Sequence, residues 1–381
     1  MRIQKNNQRL KSQKWQSLAV FLLMSLSPLM QIQAEERDVE ELPSLESIEL
    51  DSYSRFDFPA PEEDRITGGA FSFDNDILSP TGTDRDYTYG VSVTLAGSGV
   101  DDLWAAPSRP LSWLNSAFGL RSKDSRPVQS SVEFGAYGFT PDDISGVEAN
   151  PEDRPYASLV YASSVQDLAS SNPNVSWRTN LTVGVLGLDF VGDSQNAVHS
   201  LIGAERANGW RNQISDGGEL TARYSVARQQ LVETSIPKLE LKTTAQASIG
   251  YLTEASYGVS ARYGKVASRW QSFNPGLTTY GEGANQSVGQ LDLVESYWTV
   301  GATFRARLYN AFLQGQFRDS AVVFDSDQLN SEIFEAWIGY THGFRSGLRV
   351  SYVLRGQTSE VKEGLADRNL IWGSLTVSKS F

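Results

Sequence analysis

The chain holds two histidines and no cysteine. Any catalytic base, nucleophile or metal ligand must therefore come from His, Asp, Glu, Ser, Thr or Asn. One histidine, His199, lies in SQNAVHSLIGAERANGWRNQ, Ser194 to Gln213, a stretch of helical character in a sequence that otherwise reads as strand after strand. At about 100° per residue over Asn196 to Ala207, Gln195, Asn196, His199 and Arg206 share a stripe, with Leu201 and Ala204 roughly opposite. A polar stripe carrying an imidazole suits a base aimed at something polar. Gly192, Asp193 and Ser194 supply a turn with Ser194 as N-cap, and Asn208, Gly209 and Trp210 supply the stop, so a short helix is expected inside a loop at the rim of the fold.

A second set of groups stands earlier in the chain. FSFDND closes what reads as the first strand; Phe71 and Phe73 share a face, so Asp76 falls on the side of Ser72, with Asn75 at the strand end. In the next strand Thr88 lies on the polar face near the hairpin. Asp76, Asn75 and Thr88 are thus expected to meet, and an acidic and hydroxyl oxygen cluster suits a hard cation such as Ca²⁺, with a neutral histidine nearby as base. His342, in IGYTHGF at a strand end, is given no catalytic role.

The elements that must position these groups are strands. In DYTYGVSVTLAG, Tyr87, Tyr89, Val91, Val93 and Leu95 alternate with Thr88, Gly90, Ser92 and Thr94; ASYGVSARYGK and LRVSYVLRGQ repeat the split, with Arg262, Arg349 and Arg355 on the small, polar side. Charge on that side argues against a dry sandwich core and for a polar lumen behind a lipid-facing wall. Strands are expected near 66–74, 86–97, 129–140, 156–166, 176–188, 219–233, 237–252, 253–266, 295–314, 333–344, 347–358 and 369–381. The fold class is therefore all-β, a transmembrane antiparallel barrel of twelve strands, with thirteen if 295–314 breaks near Leu308; an even number favours closure. The long connections at 98–128, 189–218, 267–294 and 315–332 read as extracellular loops alternating with short periplasmic turns. The aromatic content and 32 glycines suit this class, while a secreted β-sandwich is the bland alternative.

Residues 1–34 read as a secretory signal peptide: Arg2, Lys5, Arg9, Lys11 and Lys14 precede an apolar run from Leu18 to about Met30, with cleavage expected after Ala34. Residues 35–64 read as a disordered acidic extension and 65–381 as the barrel domain. Removing the leader, with its five basic and no acidic residues, takes the formal charge from −12 to −17, which excludes the basic face that nucleic acid requires. An exported chain without cysteine relies on strand pairing and packing rather than disulfides. Beyond the leader no apolar run approaches the roughly 20 residues of a membrane helix.

Three segments carry a resemblance. FDNDILSPTGTDRDYTYG, FTPDDI…EDRPYASLVY and QNAVHSLIGAERANGWRNQ, in that order and followed by long strands and a terminal Phe, resemble the LpxR-type lipid A 3′-O-deacylase family of Gram-negative outer membranes, from about Ile66 to Phe381. The resemblance implies a twelve-stranded outer-membrane barrel, most simply a monomer, with a Ca²⁺-dependent esterase at its extracellular side that removes the 3′-linked acyloxyacyl group from lipid A of the outer-leaflet lipopolysaccharide. It implies His199 as the base that activates water and Asn75, Asp76 and Thr88 as the site on the first two strands. Asp76, Thr88 and Glu205 are the implied positions around the metal. Phe381 resembles the terminal signature read by the barrel assembly machinery. Where the family carries a site lysine, TPDDISGVEANPEDRP has none. Glu205 lies about 120° from His199 on an ideal helix, so both face one site only if the helix ends or bends near Gly203.

Two other functions fit parts of the pattern. An outer-membrane phospholipase would use Ser200 beside His199, although adjacent helical residues do not face each other. A structural or pore-forming barrel would make His199, Asn75 and Asp76 ordinary rim residues. Gly281 to Gln290 read as a flexible loop rather than a phosphate cradle, and the tryptophans as packing or interfacial residues.

Overall fold

The computed structural model describes residues 66–80, 85–120, 127–168, 170–278, 280 and 294–381; the leader, the acidic extension and Gly281 to Gln290 lie outside them. Twelve antiparallel strands close into a barrel in sequence order, with β1 (Ile66–Asn75) paired to β12 (Leu370–Ser380) from Gly68↔Ser380 to Asn75↔Gly373. Between them run β2 (Asp86–Gly97), β3 (Gln129–Thr140), β4 (Ala157–Leu168), β5 (Val175–Leu186), β6 (Glu219–Val232), β7 (Leu239–Gly250), β8 (Leu252–Lys265), β9 (Glu295–Asn310), β10 (Glu332–Gly343) and β11 (Leu348–Gln357). Closure leaves no unpaired edge, which is what a strand protein needs in hydrocarbon. Among the described residues no helix is long and apolar enough to cross a membrane.

The period-two reading holds along most of the wall. Phe71, Val91, Val93, Tyr257, Val259, Val300 and Ile338 are exposed apolar residues, while Ser72, Ser92, Thr94, Ser260, Arg262 and Arg355 are buried. Tyr87 departs from it. The β2–β3 register shifts between Tyr87 and Tyr89, and such a bulge changes which way the preceding side chain points. Tyr87 is consequently buried and donates its hydroxyl to Asp74 Oδ2 at 3.0 Å. Its hydroxyl lies where a Cβ on Gly90 would stand, so only glycine accommodates the ring there.

Strand 9 stops at Asn310, whose side chain caps the short helix α3 (Ala311–Gln314) by accepting the Phe312 N–H, so the long 295–314 strand gives way to a strand and one helical turn and the count stays at twelve. The other helices are α1 (Ser108–Ala117), which the sequence reading missed, and α2 (Asp189–Ile202). Helix α2 starts seven residues earlier than expected because Gly187, at φ +69°, ends β5 and frees Asp189 to Ser194 for the helix. Ser194 is no N-cap; its hydroxyl donates to Phe190 O at 2.8 Å inside the helix. The stop is Gly203, at φ +67°, rather than Asn208 to Trp210.

Because neighbouring strands are antiparallel, successive connections alternate between the ends of the barrel. The β1–β2, β3–β4, β5–β6, β9–β10 and β11–β12 connections share one end, here the loop end. The connections 98–128 and 267–294 instead leave the opposite, terminus end. The expectation that all four long connections lie on one side is thus overturned, and the described parts of these two fold inward. Helix α1 donates from Asn115 to Gln166 and Thr179 on β4 and β5, at 3.0 and 2.9 Å. The β8–β9 connection climbs the lumen: Arg262 donates to Ser268 O at 2.7 Å, Lys242 to Asn274 Oδ1 at 2.9 Å, Arg355 to Pro275 O at 2.9 Å and Tyr280 to Glu360 at 2.7 Å.

Around that segment side chains cross the lumen, with a cavity left where Phe273, Asn274 and Pro275 face Thr299, Thr341 and Thr376. Tyr280 packs in an aromatic core with Tyr87, Tyr137, Phe139, Phe312 and Trp372, the Phe139–Tyr280 ring centroids lying 4.9 Å apart. Buried ion pairs adjoin it: Glu254 meets Arg305 at 3.1 Å and Arg307 at 2.8 Å, and Glu335 meets Arg305 and Arg355 at 2.7 Å each. Such pairs depend on hydrogen bonds as well as on charge: Arg305 bonds through all three of its guanidinium nitrogens, whereas Arg307 Nη2 and Arg355 Nε have no hydrogen-bond partner among the described residues.

Candidate active site

The residues of the first two strands come together at the loop end. Asn75 ends β1 and caps a 3₁₀ turn, Asp76–Leu78, its Oδ1 accepting the Ile77 N–H at 2.7 Å while its amide donates to the Thr88 carbonyl. Asp76, buried at 2% exposure, accepts the Arg85 main-chain N–H at 2.5 Å. The Thr88 hydroxyl lies 2.6 Å from that of Thr140 on β3. The β2 bulge contributes to this arrangement, and Asp86, at φ +67°, opens the strand in a left-handed conformation uncommon for non-glycine residues. Three of the expected site residues, Asn75, Asp76 and Thr88, are therefore neighbours, joined by a fourth, Thr140, that the sequence reading did not pick out.

Beneath them stands a charged clamp that was also missed. Asp86 meets Arg368 at 2.8 Å and Arg154 at 3.7 Å; Arg368 reaches Asp153 at 2.6 Å, and Arg154 pairs with Glu360. Burial raises the Glu360 carboxyl pKa, but the guanidinium groups of Arg154 and Arg307 outweigh it and hold it below the ordinary carboxylate range. The signal was EDRP, charges set directly against the start of β4. In the 141–156 connection, where the resemblance expects a lysine, the basic residue is Arg154, committed to Glu360 and Asp86. Arg85 pairs with Asp142 at 2.7 Å in the open.

His199 and Glu205 belong to a different contact unit, which includes Asn196–Glu205, while the barrel unit holds Pro59–Gln195 and Arg206–Phe381. Gly203 occupies the position after the helix end, and the Ala204 N–H returns to the His199 carbonyl at 2.9 Å, the 6→1 bond of a Schellman stop. The reversal brings the Glu205 main-chain oxygen onto His199 Nδ1. Glu205 thus meets the histidine through its backbone, and its carboxylate is exposed. An Nδ1–H donated to a carbonyl leaves Nε2 as the unprotonated nitrogen.

The barrel unit anchors both ends of the α2 connection. Val191, Ala207 and Trp210 form an apolar cluster with Ile144 and Tyr156, packed on Tyr89 and Val160 of the wall. Gln195, expected on the polar stripe, accepts the Trp210 indole N–H at 2.7 Å. Asp76 offers carboxylate oxygens, and Thr88 and Thr140 hydroxyl oxygens, the kind of donor Ca²⁺ takes. Among the described residues no group of three His, Cys, Asp or Glu stands ready to hold a metal, so a cation here needs neutral oxygens and water as well.

The family profile described as outer membrane protein LpxR matches residues 18–381. The chain belongs to the LpxR family of outer-membrane proteins. Its localisation is accordingly the outer membrane, in which the barrel is embedded. The solved structure of LpxR from Salmonella typhimurium is similar at TM-score 0.61 and 19% identity, covering 83% of this chain and 100% of that one, a likeness of fold. An outer membrane channel from Pseudomonas putida F1, at TM-score 0.39 and 9% identity over 85% of this chain and 100% of that one, and the KdgM porin, at 0.35 and 5% over 82% and 99%, are more distant. No curated protein matches by sequence.

Proposed function

We propose that this LpxR-family barrel is a lipid A deacylase that hydrolyses the 3′-O-linked acyloxyacyl ester with His199 as base and Ca²⁺ as cofactor. The observation that carries the reading is the His199 ring, held by a main-chain acceptor on Nδ1 so that Nε2 is the basic nitrogen. Nε2 takes a proton from water as the water oxygen attacks the ester carbonyl; the tetrahedral intermediate collapses, the C–O bond to the sugar 3′ oxygen breaks, and the imidazolium returns the proton to that oxygen. Asp76 and Thr88 would hold Ca²⁺, which supplies fixed positive charge where negative charge develops; Glu205 is the further acidic position that the family resemblance implies. Asn75 ties Thr88 to the 3₁₀ turn and so positions Asp76. No serine nucleophile is required.

In this reading the loop end faces the cell surface, the substrate arrives laterally from the outer leaflet, and the barrel works as a monomer assembled through its terminal Phe381. The aromatic core and the ion pairs that cross the lumen speak against a pore, and nothing favours Ser200 as a nucleophile. The test is mass spectrometry of lipid A after incubation with refolded protein in Ca²⁺ or EDTA, with His199→Ala alongside. Loss of one acyloxyacyl group that needs both Ca²⁺ and His199 is expected; unchanged lipid A from demonstrably folded protein would overturn the reading.

A further inference from the structure

We infer that a groove on the outer wall at the loop end takes a hydrocarbon chain of the lipid substrate, an inference that rests on the deacylase reading. The groove encloses about 960 Å³, within the roughly 300–1,000 Å³ of small-molecule sites. It crosses β4 to β7, where the small residues Ala162 and Ala222 stand between Leu220, Ile249, Tyr309 and Phe317, and none of its lining residues is charged. Leu220, Ile249 and Phe317 are 80%, 67% and 88% exposed, a concentration of bare apolar surface that calls for an apolar occupant.

The Phe317 side is built rather than loose. Glu219 accepts the Phe317 N–H at 2.7 Å and the Gln316 amide at 3.1 Å, and Gln316 accepts the Thr221 hydroxyl at 2.6 Å. These bonds fix the residue that overhangs the slot before any ligand arrives. The occupant is a lipid chain because the groove is continuous with the lipid-facing wall through Val183, Leu220 and Ile249. It is a chain of the substrate because Val160 both lines the groove and packs on the cluster of Ile144, Tyr156, Val191, Ala207 and Trp210 that anchors the α2 connection. A chain lying there sets its headgroup at the loop end, beside that connection.

The test uses His199→Ala protein in outer-leaflet-like vesicles, with lipid A carrying a diazirine midway along an acyl chain, and maps photo-crosslinks by mass spectrometry. Crosslinks are expected several-fold enriched at Leu220, Ile249, Tyr309 and Phe317 over Val300, Phe304 and Ile338 on another part of the wall. Ala222→Phe and Ala162→Phe, each checked for folding by heat-modifiable gel migration, should abolish the enrichment, while Val300→Phe should not. Phosphatidylethanolamine with the same diazirine should label the wall evenly. Even labelling by lipid A, or equal enrichment by phosphatidylethanolamine, would overturn the inference. Enrichment without ester cleavage in the unmodified protein would sink the deacylase reading and leave a chain-binding groove; cleavage with even labelling would do the reverse.

Discussion

The lumen and the loop-end rim are built from the same acidic residue types held in different ways. In the lumen Glu254 faces the guanidinium groups of Arg223, Arg305 and Arg307, so its charge is absorbed by the fold. At the rim Asp76 accepts the Arg85 main-chain N–H, beside the strand ends where Asn75 donates to the Thr88 carbonyl and the Thr88 and Thr140 hydroxyls pair. A carboxylate faced by arginines has its charge matched within the fold, whereas a main-chain N–H bonds a carboxylate without bringing a counter-charge. The proposed function gives Asp76 a part in holding Ca²⁺ and leaves Glu254 to hold the fold, and burial does not tell the two apart, since both are buried.

Substitutions can break that comparison at either side. The largest effect is expected from His199→Ala, a fall of about 10²–10⁴-fold in lipid A deacylation with unaltered thermal stability. Asp76→Asn should follow, lowering activity about 10–100-fold and weakening its dependence on added Ca²⁺, again from a folded barrel. Glu254→Gln should do the opposite. It leaves three buried cations short of one anion, a cost of about 3–5 kcal/mol seen as a lower unfolding temperature of the gel-shifted barrel, while the molecules that remain folded keep their turnover. Equal losses of activity per folded molecule from Asp76→Asn and Glu254→Gln would erase the distinction.

A smaller change probes the packing behind the lumen. A Cβ on Gly301 would collide with the Trp337 ring, which the Arg355 guanidinium overlies at 5.5 Å. Gly301→Val is expected to cost about 1–3 kcal/mol by displacing that ring, measured by urea titration of the folded form.

Much of the wall was legible because a strand between lipid and a polar interior writes a period of two into its residues, as Tyr257, Val259 and Tyr263 against Ser260 and Arg262 do. Asn75, Asp76 and Thr88 were legible for the same reason: a hairpin brings its strand ends together at short sequence separation. What escaped depends on distant partners. Tyr280 and Glu360 are 80 residues apart, so nothing local shows that the β8–β9 connection enters the lumen, and its length alone reads as an outward loop. Tyr87 was assigned to the wall because a bulge leaves no mark in alternation. Helix α2 was started late because Phe190 and Val191 continue the apolar character of β5, and only the conformation of Gly187 separates them. Thr140 and the Arg154–Glu360 pair border the candidate site from strands and connections that no spacing rule ties to Asp76 and Thr88.

The clamp under the rim offers the mildest way to sharpen the comparison, since it is charged like the lumen yet borders the site. The folded-state pKa of Glu360 lies below its ordinary value of 4.5, so its contribution to stability is complete above that value and is lost as pH falls through the lower, folded one. Lowering pH from 7 to 5 should therefore leave the loop end intact. Below about 4.5 protonation loosens its hold on Arg154, and with it the 141–156 connection that Arg154 ends and the Asp86 turn that leads into Thr88. Limited proteolysis of the loop end across pH 7 to 3 should show cleavage in 141–156 rising only in the acid part of that range. In Glu360→Gln the same cleavage should be present at pH 7 and change less with acid; a parallel rise in both proteins would locate the acid sensitivity in another carboxylate of the clamp, Asp86 or Asp153.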